Sequence, residues 1–169
     1  MTSLYELTVP FLITVLKTEQ SLLEKAEKFE GASTTELLEA RLAPDMWPLS
    51  QQIVISALHA AMTVAKLTGK APNQINFGPA SLEDSKKYLA ETITLLESVK
   101  PEDVNGKEGQ IVGAMMGAGK EVNMKAIDYV LGYLKPNVFF HLTTLYDILR
   151  SKGLPLGKAD YLGAFIKLA

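Results

Sequence analysis

Tyr129-Val130-Leu131-Gly132-Tyr133-Leu134-Lys135-Pro136-Asn137-Val138-Phe139-Phe140-His141-Leu142-Thr143-Thr144-Leu145-Tyr146-Asp147-Ile148-Leu149-Arg150 is the stretch that decides the fold. Its apolar residues recur on almost every side of a 3.6-residue period, which marks a helix buried by its neighbours. Tyr129, Tyr133, Asn137 and His141 stand four residues apart and share one face, with Thr143 and Thr144 flanking its continuation. Unpaired buried polar groups cost about 1–3 kcal/mol each, so this line needs partners or a pocket. Pro136 removes a helix hydrogen bond near the level of Gly132 and predicts a kink there.

A second polar line lies upstream. Pro48 suits the first turn of a helix that runs to Thr68 and stops at Gly69. That helix has a high apolar content all round and carries its own polar line, Gln52, Ser56, His59 and Thr63, spaced four, three and four. It is the natural partner of the 129–150 helix.

Two further helices complete the set. Ser3-Leu4-Tyr5-Glu6 has capping-box form and opens an amphipathic helix reaching about Glu30, with Gly31 after it. Pro10 predicts a kink in it or a regular start near Thr8. Leu4, Phe11, Val15, Thr18, Leu22 and Phe29 mark its inner side; Lys17, Glu19, Glu24, Lys25, Glu27 and Lys28 are expected on the outer side. Ser33-Thr34-Thr35-Glu36 opens a short turn, and Arg41 to Pro48 is a fixed connector containing Trp47. Residues 69–80 read as a loop shaping a pocket mouth. Ser81 caps a surface helix that ends at Lys100-Pro101. Gln110-Ile111-Val112 and Glu121-Val122-Asn123-Met124 predict a hairpin around Gly117-Ala118-Gly119, and Tyr161–Ala169 forms a tail. The sum is one all-α domain over residues 1–169, an up-down four-helix bundle with a short inserted β-hairpin.

Composition narrows the function classes. The chain has 169 residues, a net charge of −2 and no basic run, which argues against nucleic acid as a partner. Cysteine is absent, which excludes disulfides, thiolate metal sites and cysteine nucleophiles. No signal peptide and no membrane-length apolar run are seen, so a soluble cytoplasmic protein is expected. Phosphate-loop, nucleophile-elbow, H-E-x-x-H and dinucleotide motifs are all missing.

Several segments together resemble a known family. They are Leu4-Tyr5-Glu6-Leu7-Thr8-Val9-Pro10, Arg41-Leu42-Ala43-Pro44-Asp45-Met46-Trp47-Pro48-Leu49 with Gln52, Asp128-Tyr129, Pro136 through Arg150, and Leu156-Gly157-Lys158-Ala159-Asp160-Tyr161-Leu162-Gly163. The pattern is similar to a domain-of-unknown-function family of bacteria and fungi related to the DinB/YfiT-like metalloenzyme superfamily, and it covers nearly the whole chain. The resemblance implies a DinB-like helical bundle. The wider superfamily implies a divalent metal held by three histidines, one on the second helix and two on the fourth. This chain departs from that pattern. It has two histidines only, and His141 has Asn137 four residues before it and Leu145 four residues after it.

The expectation is therefore metal-independent, cofactor-independent chemistry in a pocket between the second and last long helices. His141 would move the proton, with Tyr133 as a second candidate, because imidazole titrates nearest neutrality. Gln52, Asn137, His59, Ser56, Trp47 and Thr144 would bind the ligand, and Met115 and Met116 would cover it. The partner expected is a small apolar or aromatic substrate undergoing isomerisation, dehydration or cyclisation. The family's frequency in fungi implies secondary metabolism as the setting. Two readings stand beside this one: a non-catalytic ligand-binding or interaction protein, and a divalent-metal hydrolase or transferase. A homodimer is compatible with all three.

Overall fold

The computed structural model describes residues 2–166 apart from 73, 79, 117 and 118. Among them the protein is mostly helical, with one small antiparallel sheet. α1 spans Leu4–Glu27, α2 Thr34–Glu39, α3 Leu49–Thr68, α4 Leu82–Glu97 and α5 Pro101–Val104. β1 (Ile111–Met116) and β2 (Lys120–Lys125) follow, then α6 (Ala126–Asp128), a π-helical turn (Tyr129–Leu134), α7 (Lys135–Ser151) and α8 (Lys158–Leu162).

Local chemistry sets most boundaries. The Ser3 hydroxyl accepts from the Glu6 amide while the Glu6 carboxylate accepts from the Ser3 amide, closing the capping box. Ser33 and Glu36 repeat the arrangement at α2, and Ser81 caps α4. Gly69 ends α3 with φ of 77°, where a side chain would be strained, and its amide donates to the Ala65 carbonyl. α1 is helical from Leu4 through Pro10, so the regular part does not start near Thr8. The proline deprives only the carbonyl of Glu6, an exposed residue that water can serve.

Pro136 acts differently. It cannot donate to the Gly132 carbonyl, and the turn before it is widened to a π turn. The Lys135 amide donates to the Val130 carbonyl, five residues back, and the helix carries on as α7. Residues 126–151 thus form one continuous helical segment with a π turn in its first half.

Helix directions follow from the contacts. Lys17 pairs with Glu97 and Lys86 with Glu27, so α1 and α4 are antiparallel. Gln52 meets His141 and Thr63 meets Tyr129, so α3 and α7 are antiparallel. Ser50 lies beside Ala80, Ser81 and Leu82 at one end, while Lys70 pairs with Asp103 and Lys107 donates to the Leu67 carbonyl at the other. α3 and α4 therefore run parallel, and the strict up-down alternation expected is replaced by up-down-down-up. The physical reason is the length of the 69–81 connection. About a dozen extended residues reach about 40 Å. That is enough to return along α3, because a helix of 20 residues is about 30 Å long.

Leu12, Leu16 and Leu22 of α1, Ile53 and Leu67 of α3, Leu89 and Leu96 of α4, and Val138, Leu142 and Ile148 of α7 share one core. Glu19 lies within that core and not on the outer side expected for it; it is 0% exposed. It follows Val15 by four residues and precedes Leu22 by three, so helical geometry puts it on the inner stripe. No helix among the described residues is long and apolar enough to cross a membrane.

The hairpin is present and longer than expected, with register Ile111↔Lys125 to Met116↔Lys120. Of its anticipated turn, Gly117 and Ala118 lie outside the described residues, and Gly119 has φ of 76°. In the tail, residues 167–169 also lie outside them. Tyr161 and Phe165 pack on the core's edge, and Phe165 sits 6.4 Å from Phe11.

Candidate functional site

The two polar lines do meet. The antiparallel packing of α3 on α7 brings Gln52 to His141, with Gln52 Oε1 and His141 Nδ1 2.7 Å apart. Gln52 Nε2 donates to the Trp47 carbonyl at 2.9 Å. A carbonyl can only accept, so the Gln52 atom facing it is the amide nitrogen, and Oε1 is left as acceptor toward His141. His141 therefore carries its proton on Nδ1 and its lone pair on Nε2. The connector's Trp47, through its backbone, thus sets the tautomer of a histidine about ninety residues later in the chain.

Aromatic groups enclose this imidazole. The Trp47 ring stacks on it at 6.3 Å and 17°, and the His59 ring at 5.9 Å and 29°. Phe140 meets it edge-on at 5.4 Å, and Phe77 of the crossover loop meets Trp47 edge-on at 5.7 Å. His141 is 6% exposed, whereas Trp47 is 47% exposed. Burial pushes His59 down to about 4. Burial and the neighbouring His59 charge push His141 down to about 4 as well. Both rings are neutral near pH 7.

Beyond His59 opens a cleft of 240 Å³ between α3, the π turn and β1. Leu58, Met62, Ala114, Met115, Tyr129 and Tyr133 form its apolar walls; His59 and Lys66 are its nitrogen-bearing residues. The π turn matters here. Tyr129 and Tyr133 stack at 5.3 Å and face the cleft together, and Tyr133 meets His59 edge-on at 5.7 Å.

The tyrosine hydroxyl protons are already committed. The Tyr133 hydroxyl donates to the Met115 carbonyl at 2.8 Å, tying the hairpin to the helix. Thr63 donates to the His59 carbonyl at 2.7 Å. Its one hydroxyl proton is thereby used, so in the 3.2 Å contact between Thr63 and Tyr129 the tyrosine is the donor. Burial raises Tyr129 to about 12 and also raises Tyr133. The His59 ring, in contrast, lines the cleft and makes no hydrogen bond among the described residues, so its N–H and its lone pair are left without partners there.

Of the residues expected at the site, Trp47, Gln52, His59, Tyr133 and His141 come together. Asn137 does not join the Gln52–His141 pair; its side-chain amide donates to the Tyr133 carbonyl at 2.7 Å and braces the π turn. Ser56 is fully buried and approaches Glu19 in the core. Thr144 is buried on α7 and has no hydrogen bond by its hydroxyl among the described residues. Lys66, Met62, Leu58 and Ala114 were not anticipated. Met62 and Lys66 follow His59 by three and seven residues, so the helical face of His59 was the signal for both.

The donors do not fit the three-histidine metal centre of the wider superfamily. No group of three or more His, Cys, Asp or Glu among the described residues could hold a metal ion. The two imidazoles stack on each other, and one of their nitrogens is bound to Gln52.

Replacing Gln52 by methionine keeps the volume and deletes both hydrogen bonds. The His141 N–H and the Trp47 carbonyl then lose their partners. The expected loss is about 1–3 kcal/mol of unfolding free energy, read from urea denaturation. An unchanged midpoint would show that water replaces the amide at no cost.

A crystal structure described as a DinB family member protein from Shewanella denitrificans is similar over 98% of this chain and 95% of that one, with a TM-score of 0.85 and 30% sequence identity. No curated protein matches the chain. A family model described as a domain of unknown function, DUF1993, matches residues 4–162. With that match over nearly its whole length, and a DinB family member sharing its fold, the chain belongs to the DUF1993 family.

Proposed function

We propose that the protein binds a small apolar or aromatic molecule in the cleft beside His59 and works on it by histidine acid/base chemistry, as an isomerase, dehydratase or cyclase would. The observation that carries this reading is the imidazole pair: an unpartnered His59 at the wall of an apolar cleft, stacked on a His141 whose tautomer Gln52 sets. An apolar cleft with few polar groups is the usual form of a small-molecule site. His59 touches the ligand, and His141, with its lone pair on Nε2, is the second proton carrier. Gln52 and Trp47 orient His141. Asn137 and Tyr133 hold the cleft's wall and its hairpin. The DinB-like bundle serves as a rigid frame, and the two imidazoles carry the proton steps between them.

A ligand-binding protein without turnover is the second reading. The low basicity of both imidazoles, about 4, favours it, since a general base works best with a pKa near the operating pH. A cytoplasmic setting, secondary metabolism and a homodimer are parts of the same proposal, and sedimentation of the purified chain tests the last.

A thermal-shift screen of small aromatic and apolar compounds tests the site. A ligand at about a hundred times its Kd should stabilise the native protein by about 2.7 kcal/mol. The shift should vanish in Met62→Trp, which fills the cleft, and shrink in His59→Ala. Hits that survive both substitutions would sink the proposal. For a hit that is turned over, His141→Ala should abolish turnover while melting stays cooperative.

A further inference from the structure

The charge balance of the cleft names a ligand class. Lys66 is its cation, and none of its lining residues is acidic. The Lys66 ammonium lies 6.0 Å from the centre of the Tyr129 ring. That is the outer limit of a cation–π contact. Among the described residues it pairs with no carboxylate; the ion pairs there belong to Lys17, Lys25, Lys70 and Lys86. Both tyrosine hydroxyl protons are already donated, to Met115 and to Thr63. The hydrogen-bond donors left for a ligand are thus the Lys66 ammonium and the His59 N–H, seven residues apart on one face of α3. All the other walls are apolar. The cleft holds 240 Å³. Drug-sized sites begin at roughly 300 Å³, so the apolar part of the ligand is one ring or a short branched chain.

Resting on the small-molecule reading above, we infer that the natural ligand is a small monoanion, a carboxylate attached to a single apolar ring or branched chain. Lys66 and the His59 N–H take the carboxylate, and the ring lies on Tyr129, Tyr133 and Met62. An ammonium–carboxylate contact is stronger than a neutral hydrogen bond and gains further where apolar walls exclude water.

The test is calorimetric titration of benzoate, phenylacetate and 3-phenylpropionate, each against its primary amide. The proteins are the wild type, Lys66→Met, Lys66→Arg and Met62→Trp, each checked for a cooperative melt. The best carboxylate should bind the wild type about tenfold or more tighter than its amide. That preference should disappear in Lys66→Met, persist in Lys66→Arg and weaken with added salt. If amides bind as well as carboxylates and Met62→Trp removes both, the anion assignment is overturned while the cleft remains a small-molecule site. If carboxylates bind equally to wild type and Met62→Trp, they bind elsewhere, and the inference is overturned. If no compound of either kind binds at millimolar concentration, the inference falls; the broader screen above then decides separately on the small-molecule reading.

Discussion

Glu19→Gln is expected to stabilise the protein at about pH 8 and to change little at about pH 5. The Glu19 side chain is buried in the core, and neither carboxyl oxygen has a hydrogen-bond partner among the described residues. Ser56 comes near enough to offset part of the burial, but its own hydroxyl lacks a partner too. Desolvation pushes the carboxyl from 4.5 up to about 8, so it is a neutral acid near pH 7. Its folded pKa is raised, so the native state holds a proton that the unfolded chain releases. The stability this gives is full below about pH 4.5 and is lost as the pH climbs through 8, at no more than about 1.4 kcal/mol per pH unit. Glutamine cannot ionise and removes that slope. Urea unfolding from about pH 5 to about pH 9 reads it directly. A wild-type stability that falls no more steeply than that of Glu19→Gln would show the carboxyl to be solvated. Glu19→Met should raise stability across the range, because it also removes the unpaired polar atoms.

The histidine pair is expected to produce the opposite limb. His59 and His141 both sit at about 4, below the ordinary 6.5. Between those values the unfolded chain binds protons that the native protein does not, so stability is full above about pH 6.5 and is lost as the pH falls toward 4. Each histidine contributes a slope of at most about 1.4 kcal/mol per pH unit. From about pH 4.5 to 6.5 two histidines oppose one Glu19, and above 6.5 Glu19 acts alone, so stability should peak near pH 6.5. His59→Gln should roughly halve the acid limb, and it also relieves the charge that His59 puts on His141. The chain has just two histidines, so an NMR titration of the imidazole C–H signals follows both without ambiguity. A midpoint near 6.5 for either ring would mean that it is solvated in the native protein and would overturn this expectation. If the site holds an anion beside His59, saturating ligand should move that ring's midpoint upward.

The legible parts of the sequence are those with short-range causes. Ser3 and Ser33 announced capped helices because a hydroxyl three residues before an acid closes a local hydrogen-bond ring. Gln52, His59, Tyr133 and His141 announced a polar seam because a buried apolar helix cannot carry such groups on one face without partners. Helical period alone put Glu19 within reach of the core, yet its charge suggested solvent. Its complete burial decides the matter, and the desolvation that pushes the carboxyl up to about 8 depends on neighbours from other helices. The π turn was visible only as a disturbance at Pro136. The tyrosines of that turn, Tyr129 and Tyr133, line the cleft, where Tyr133 meets His59 of α3.

The 129–150 stretch and the 48–68 helix by themselves determined that two buried helices would face each other through polar residues, because burial and periodicity are properties of the local chain. Tertiary structure alone decided what those residues do. The return of the chain along α3 placed Phe77 on Trp47, the Trp47 carbonyl orients Gln52, and Gln52 sets the proton on His141. The hairpin carbonyl of Met115 accepts from the Tyr133 hydroxyl, and His59 and Lys66 are the nitrogen-bearing residues that line the cleft. Hydrogen-bond donors and acceptors are assigned by whatever meets them in space, and the residues that meet here lie up to about ninety positions apart in the chain.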